Sequence, residues 1–370
     1  MCGGNAVAIF NWLLVDVEKN NLEEPQLLEW AERHRILLYP FILAYHRKNI
    51  SDGFLKICRE KYLYNYQQVA SVERFLKRFN EFLELNSLKA IVLKGVAVAE
   101  NYYSDKFMRH SRDLDVWVDQ HHVLFITQWL KTEGFKLETD FFSYSKKQQD
   151  LFWRTNHHFC FHGTNLRYPA ILELHWKLRS NEDVCNINPF ETGYLLLNTS
   201  SSNLFILNHL DQFIYLCVHG TEHGWYRIKW LLDLQFLIQR VKLDWEVVKN
   251  RANELNALEH VILSIYLVHQ FTGKKIIDGF QMGSCTDALK LKSTKLLKRI
   301  NQSSFIEIGY SAAFRNIFFL SSFNKRRWSL SFWSQWWVCP ADWKRFPLPN
   351  NLFLLYYPLR PLFWMIRKLF

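Results

Sequence analysis

Two carboxylates stand two residues apart near the first third of the 370-residue sequence, at Asp113 and Asp115. The apolar run Leu114–Val118 has the length and composition of a buried strand, in which residues two apart point to the same face. Carboxylates held this close repel each other unless a divalent cation lies between them. Oxygen ligands favour Mg²⁺, and Mg²⁺ favours bound phosphates. The pair therefore predicts a site for magnesium and a phosphorylated ligand.

A lysine and a glycine precede this pair and are expected to lie beside it. Lys94 and Gly95 directly follow a short apolar strand, predicted over Ala90–Leu93. The lysine supplies a cation, and the glycine lets the backbone approach a phosphate closely. A helix is predicted over Val96–Tyr103, and the free N–H groups at its start would favour an anion. Lys94 is the first candidate contact to a triphosphate.

Two arginines and a third acid complete the set of candidate site residues. Arg109 and Arg112 lie in the polar break before the carboxylate pair, and guanidinium geometry matches phosphate. Either could contact the triphosphate; ordinary surface ion pairing is the alternative. In the strand predicted over Ala170–Trp176, alternation places Glu173 and His175 on one face. An acidic residue within an apolar strand indicates a functional role for its carboxylate. The alternative is that Glu173 lies on an edge strand and faces solvent.

The stretch from Ile91 to Val118 resembles an uncharacterised bacterial nucleotidyltransferase family of the polymerase-beta-like superfamily. The shared signature is LKG, a tyrosine, an arginine and then DxDxxV. Further matches lie at His157-His158, Glu173-Leu-His175-Trp176, His219-Gly220, His223 and Lys229–Asp233. The resemblance covers residues 87–239 well and the remainder loosely. It implies transfer of a nucleoside monophosphate from an NTP, with ATP expected first, to an unidentified hydroxyl or phosphate acceptor, releasing pyrophosphate.

The resemblance also implies which residues hold the metal. Asp113 and Asp115, with Glu173 as the third carboxylate, would hold two Mg²⁺ ions. One ion would bind the triphosphate, and the other would lower the pKa of the attacking hydroxyl. Many members of the superfamily carry Gly-Ser at the first helical turn, where this chain reads Gly95-Val96. This departure indicates altered phosphate binding.

The histidines are less informative than the carboxylates. His157 and His158 lie at the start of a predicted strand, where adjacent side chains face opposite ways, so at most one should face the site. A zinc site is not predicted, because no cysteine or histidine stands at matching ligand spacing. For His219, His223 and Asp233 we favour a structural role in helix packing over contact with the acceptor.

Alternating strand and helix patterns predict an α+β fold, with a small mixed sheet between helical regions. Apolar spacing over Leu55–Leu85 predicts a long helix with one buried stripe. A second helix is predicted over Leu204–Val218. We divide the chain into an N-terminal helical scaffold (1–86), a nucleotidyltransferase core (87–180), a helical domain (189–275) and a basic, aromatic-rich C-terminal region (276–370).

The positive charge is concentrated in the C-terminal region. Of the formal net charge of +11, the segment 295–370 holds +10, from 12 basic and two acidic residues. Tryptophans lie among these charges, a composition that suits RNA, through phosphate contacts and base stacking, or an anionic membrane surface. We favour a helical scaffold with solvated charges over both alternatives. The predicted catalytic core is nearly neutral.

Composition also indicates the size of the core, the absence of a predicted membrane-spanning helix and the state of the cysteines. Hydrophobic residues make up 49% of the chain, enough for a substantial core. No run of about 18 apolar residues occurs, so no membrane-spanning helix is predicted. Seven cysteines without CxxC or zinc-finger spacing are typical of reduced thiols. We therefore expect a cytoplasmic enzyme; a peripheral position at the membrane and a non-catalytic nucleotide-binding protein are the alternatives.

Overall fold

The computed structural model describes residues 23–45, 50–164, 169–179, 182–197, 202–272 and 340–369, with 293, 294 and 296. Its helices are α1 (Glu24–His34), α2 (Leu38–Tyr45), α3 (Asp52–Leu85), α4 (Val96–Tyr102), α5 (Val123–Thr132), α6 (Lys146–Thr155), α7 (Pro189–Thr192), α8 (His209–Glu222), α9 (Ile228–Arg240), α10 (Trp245–Glu254), α11 (Leu258–Thr272), α12 (Pro340–Arg345) and α13 (Tyr356–Leu369). Its strands are β1 (Ala90–Val92), β2 (Asp113–Trp117), β3 (Phe135–Leu137), β4 (His158–Gly163), β5 (Ile171–His175), β6 (Tyr194–Leu196) and β7 (Leu204–Leu207).

All seven strands form one mixed sheet in the order β3-β4-β5-β2-β1-β7-β6. β2 is parallel to β5 and β1 is parallel to β7, whereas the other neighbouring pairs are antiparallel. The predicted α+β class with a mixed sheet is confirmed. Within the described part of the chain, no helix is both long and apolar enough to cross a membrane.

The helix predicted over Leu204–Val218 is wrong at its start. Leu204–Leu207 is strand β7, and α8 begins only at His209. Four consecutive buried apolar residues fit a strand or a helix equally well, so their periodicity could not decide. Pairing decides it here, because β7 lies along β1, with Ala90 opposite Leu204.

Strand alternation assigns the two faces of the sheet to different layers. Leu114 and Val116 of β2, like Leu172 and Leu174 of β5, belong to an apolar cluster that also contains the buried side of α3. On the other side, a second cluster joins α1 and α2 with the helical layer α8–α11. The opposite face of β2 and β5, which carries the candidate site, is therefore turned towards this helical layer.

Helix α3 confirms the predicted amphipathic helix. It begins after Ser51, whose hydroxyl accepts a hydrogen bond from the N–H of Phe54 at 3.2 Å. The apolar positions of the stripe are buried: Val69, Val72, Phe75, Leu76, Phe79, Phe82 and Leu83. The aromatic rings of this stripe pack on α5, with Phe82 and Trp129 stacked at 4.3 Å between centroids. α3 thus covers the apolar face of the sheet.

Helices α12 and α13 and the 3₁₀ turn between them pack against the same apolar cluster, through Trp343, Tyr356 and Phe353 respectively. Oδ2 of Asp342 lies 2.5 Å from Nη1 of Arg360, and Oδ1 of Asp342 lies 2.9 Å from Nε of Arg367. Part of the basic charge of the C-terminal region is therefore balanced internally. Most of that region, and the predictions for residues 276–292 and 297–339, lie outside the described residues, as do those for residues 1–22.

Candidate functional site

The predicted carboxylates meet on adjacent strands. Parallel pairing places Asp115 of β2 opposite Glu173 of β5. Asp113 lies two residues before Asp115 and therefore on the same face. Asp115 is buried, whereas Asp113 and Glu173 are partly exposed. All three line a cavity of about 500 Å³, hereafter the carboxylate cavity, whose other wall is formed by residues of α8 and α9.

Lys94 also lines this cavity and is ion-paired there. Its Nζ lies 2.9 Å from Oδ1 of Asp115. The backbone explains this approach, because the N–H of Leu93 donates to the carbonyl of Asp115 at 3.1 Å, next to the β1–β2 pairing. Burial acts to lower the pKa of Lys94, but the charge of Asp115 outweighs it and raises that pKa. The lysine is therefore protonated and neutralises Asp115.

His175 joins the two paired carboxylates. Its Nε2 lies 3.2 Å from Oε2 of Glu173 and 3.4 Å from Oδ1 of Asp115. Burial acts to lower the pKa of His175, but its hydrogen bonds to both carboxylates raise it above its ordinary value. Burial also acts to raise the pKa of Glu173, and the contacts with His175 and Lys94 outweigh it, so that this pKa is lowered.

These donors fit a divalent cation. One ligand atom from each of Asp115, Glu173 and His175 lies within 4.8 Å of the other two. Two of the three are carboxylate oxygens, which Mg²⁺ prefers, and Asp113 offers another from the same face. The charge of Lys94 balances Asp115 here, and a bound cation could take over that balance.

Gly95 holds a backbone conformation that places Lys94 against β2. Its φ of 62° lies in the region that favours glycine. A Cβ at this position would lie 3.3 Å from the carbonyl oxygen of Asp113. The Lys-Gly pair of the sequence motif is thus explained, because the glycine allows the start of α4 to pack closely on the first carboxylate strand.

The two predicted arginines have different surroundings. Buried Arg109 forms a two-pronged ion pair with Asp233 of α9, at 2.7 Å from Nε and 2.8 Å from Nη2. Tyr103 donates a further hydrogen bond to Asp233 at 2.8 Å. Arg109 therefore fastens the segment before β2 to α9, and the structural role favoured for Asp233 agrees with this contact. Arg112 is exposed and lines a separate cavity of about 600 Å³ beside α1 and α3, hereafter the second cavity.

Besides Lys94 and Arg109, four cations line the carboxylate cavity: Arg35, Arg179, Arg227 and Lys229. Arg179 is ion-paired with Glu222, whereas in the described part of the chain the other three form no ion pair with a carboxylate at 4.0 Å or less. Burial and then the charge of Arg109 lower the pKa of Lys229 well below its ordinary value. Burial and then the charge of Arg227 lower the pKa of Arg35. Cations that repel one another in this way would be stabilised by a bound anion.

No local pattern could have revealed Arg35, because it lies at the end of α1, far from the motif in sequence. Lys229 belongs to the Lys229–Asp233 segment that contributed to the family resemblance, and that resemblance is the sequence feature that could have identified it. Arg227 lies just before α9, with its guanidinium carbon 4.8 Å from the ring centre of Tyr226 and 5.7 Å from that of Trp230. The cations thus lie beside an aromatic wall.

The expectation that at most one of His157 and His158 faces the site is wrong. Both line the carboxylate cavity. The reason is that β4 begins at His158, so His157 lies before the strand and is not bound by strand alternation. Their ring centroids are 4.3 Å apart, and those of His158 and His175 are 4.9 Å apart. Burial and then His175 lower the pKa of His158 to about 4.

His219 and His223 line the cavity from the end of α8. The ring of His223 stacks on Trp230, with centroids 5.1 Å apart and an interplanar angle of 27°. The packing supports the favoured structural role for His223, and its position also lets it face a ligand in the cavity.

Residues 20–273 match the model of a protein family described as "Uncharacterised nucleotidyltransferase". The matched range includes all seven strands, the helices α1–α11 and every residue that lines the carboxylate cavity. Helices α12 and α13 lie beyond it. No curated protein matches the chain.

Proposed function

The chain belongs to the uncharacterised nucleotidyltransferase family, and we propose that it transfers a nucleoside monophosphate from an NTP to a hydroxyl or phosphate acceptor. An acceptor oxygen bonds to the α-phosphorus while the bond from that phosphorus to the pyrophosphate oxygen breaks. Pyrophosphate leaves, and a hydroxyl acceptor gives up its proton to solvent. The observation that carries this proposal is the pairing of Asp115 with Glu173 on parallel strands, with Asp113 on the same face.

Asp113, Asp115 and Glu173 are the proposed ligands for Mg²⁺, with two ions expected. Bound Mg²⁺ would neutralise charge on the phosphate oxygens and make the acceptor hydroxyl more acidic. Lys94 has a second role in this proposal. Its Nζ balances Asp115 at 2.9 Å, and it would be available to contact the triphosphate if bound Mg²⁺ balanced Asp115 instead. Gly95 lets the phosphate approach the backbone beside it.

The pyrophosphate portion of the NTP is proposed to lie against Arg35, Arg227 and Lys229. Their mutual repulsion and the charge developing on the leaving pyrophosphate make this the most favourable place for it. Arg109 acts through its ion pair with Asp233, by positioning Lys229 on the same helix. Arg112 would contact a ligand group that reaches the second cavity. ATP is the first nucleotide to test.

Label transfer tests the proposal directly. Purified protein is incubated with Mg²⁺, each α-³²P-labelled NTP in turn, and fractions of a cell extract as the source of acceptor. We expect the label to appear on one class of molecule together with pyrophosphate. Asp115→Asn and Glu173→Gln should each lower the rate on the order of 10³-fold, while the fold is retained.

Asp119→Asn is the matched control, since Asp119 is exposed at the turn after β2. It should transfer label at the wild-type rate. Transfer that persists in Asp115→Asn, or in excess chelator, would overturn the proposed mechanism. Nucleotide binding without pyrophosphate release across all acceptor fractions would instead favour the non-catalytic nucleotide-binding alternative.

Exposed apolar side chains in the C-terminal region support a second proposal, that this region binds a membrane surface or another partner. Leu354, Leu362 and Met365 are exposed by 73%, 46% and 47% of their surface, in the part of the sequence that carries most of the positive charge. An anionic membrane surface suits apolar and basic side chains together. Salt-sensitive pelleting with anionic vesicles would support this partner, and co-purifying nucleic acid would support RNA instead. A cytoplasmic location, with peripheral membrane contact as the alternative, remains a prediction.

A further inference from the structure

Three imidazoles gather at one side of the carboxylate cavity. His158 and His175 are partners across the β4–β5 pairing, and His157 directly precedes β4. One ring nitrogen of each histidine lies within 4.8 Å of one from each of the other two. Three nitrogen donors at this separation match the ligand set that Zn²⁺ uses with an open fourth position.

The carboxylates support one of these rings in the manner of a metal site. Nε2 of His175 faces Glu173 at 3.2 Å and Asp115 at 3.4 Å. Nδ1 of His175 and Nδ1 of His158 are buried without a hydrogen-bond partner in the described part of the chain. A histidine that binds a metal commonly directs its other nitrogen to a carboxylate, which fixes the ring orientation. His175 has this arrangement.

We propose that His157, His158 and His175 bind one divalent transition-metal ion of the zinc class. Imidazole nitrogens favour Zn²⁺, Co²⁺ and Ni²⁺, whereas Mg²⁺ requires oxygen ligands. This ion is distinct from the Mg²⁺ proposed at Asp113, Asp115 and Glu173. It fixes His175, whose other nitrogen then orients both paired carboxylates.

A second donor group on the same sheet has to be distinguished from this one. Glu138, Cys160 and His162 also place ligand atoms within 4.8 Å of one another, at a more exposed position. Cys160 and His162 lie on β4, on the same face as His158. The two groups differ in chemistry, because only this second group contains a thiol. Co²⁺ reports that difference, since a thiolate ligand adds a charge-transfer band in the near ultraviolet.

The experiment uses the full chain, stripped of metal with a chelator and titrated with Co²⁺ in excess Mg²⁺. We expect visible absorption that saturates at one equivalent, disappears when Zn²⁺ is added, and lacks the thiolate band. His158→Asn should weaken Co²⁺ binding by about 100-fold or more. His162→Asn, from the same strand and face, is the matched control and should bind as the wild type does.

Other results would overturn the proposal. A thiolate band that Cys160→Ser removes would place the ion in the second group. Full affinity in His158→Asn combined with lost affinity in Glu173→Gln would place it among the carboxylates, and saturation far above one equivalent would mean nonspecific binding. Circular dichroism checks the fold of each variant, and His157→Asn replaces His158→Asn if the latter does not fold. Nucleotide transfer is not used as a readout, so failure here leaves the proposed function untouched.

Discussion

Lys94 links the charge of the carboxylates to the stability of the protein. It neutralises buried Asp115 at 2.9 Å, so its removal leaves a buried carboxylate beside Glu173 with less positive charge nearby. We expect Lys94→Met, which keeps the apolar stem, to lower the free energy of unfolding by about 3 kcal/mol without metal. Millimolar Mg²⁺ should recover most of that loss, because the cation replaces the lysine charge. Urea unfolding with chelator and with Mg²⁺ measures both effects.

Lys146→Met is the control for this comparison. Lys146 is exposed and pairs with Asp150 one helical turn away at 2.9 Å. An exposed pair contributes less than about 1 kcal/mol, so this variant should unfold as the wild type does in either buffer. Equal destabilisation of Lys94→Met with and without Mg²⁺ would contradict a shared position for lysine and cation.

Arg227 tests the proposed place of the pyrophosphate group. Its guanidinium lies on the rings of Tyr226 and Trp230 and has no carboxylate partner in the described part of the chain. Arg227→Gln should weaken binding of an NTP about tenfold, a change of roughly 1.4 kcal/mol, because one charged contact to phosphate is lost. Titration with a fluorescent nucleotide measures it. Arg240→Gln, at the exposed end of α9, should leave the affinity unchanged; equal affinity in both variants would refute the assignment.

At the residue scale, local spacing was informative wherever the function depends on one strand. Asp113 and Asp115 share a face because strand alternation requires it, and the same rule placed Glu173 with His175. The partners of these residues depend on long-range pairing. The contact of Arg109 with Asp233 joins positions more than a hundred residues apart, and no spacing rule predicts it.

At the element scale, the turn from β1 into α4 depends on one glycine. Gly95 has a φ of 62°, and an added Cβ would lie 3.3 Å from the carbonyl oxygen of Asp113. Gly95→Ala should therefore cost about 1–3 kcal/mol of stability. It should also weaken Mg²⁺ and nucleotide binding, because the start of β2 must shift. Thermal unfolding and nucleotide titration measure the two effects.

Gly53→Ala is the matched control for this turn. Gly53 lies in the first turn of α3, and a Cβ there meets nothing within 4 Å. Alanine favours a helix over glycine, so this variant should gain up to about 1 kcal/mol. If Gly95→Ala were as stable and as active as Gly53→Ala, the close packing of α4 on β2 would not matter for the site.

The bounds of the helices and strands show which features cannot be predicted from local sequence patterns. Amphipathic spacing predicted α3 because a long helix with one buried stripe has a regular pattern. The same reasoning failed at Leu204–Leu207, where a fully apolar run becomes a strand only because β1 has a free edge. It failed again at His157, because the register of β4 decides which histidines face the cavity. Pairing of distant strands, rather than local preference, settled both cases.

At the scale of the whole molecule, the helical layer contributes buried neutral histidines as well as apolar side chains. His260 of α11 is 3% exposed. Burial, and then the charge of Arg179, lower its pKa from 6.5 to about 3. The unfolded chain therefore binds a proton at His260 before the folded protein does. Its contribution to stability is complete above pH 6.5 and is lost as the pH falls towards 3.

At pH 5 this loss amounts to about 2 kcal/mol for one histidine. We expect His260→Gln to reduce by about that amount the difference in unfolding free energy between pH 7.5 and pH 5. Urea unfolding at a series of pH values measures the difference, and His121→Gln, which removes an exposed histidine, should leave the wild-type curve unchanged. A pH dependence that is equally steep in His260→Gln would mean that acid sensitivity arises elsewhere. His157, His158 and His219 of the carboxylate cavity, whose pKa values are also lowered, would be the next residues to replace.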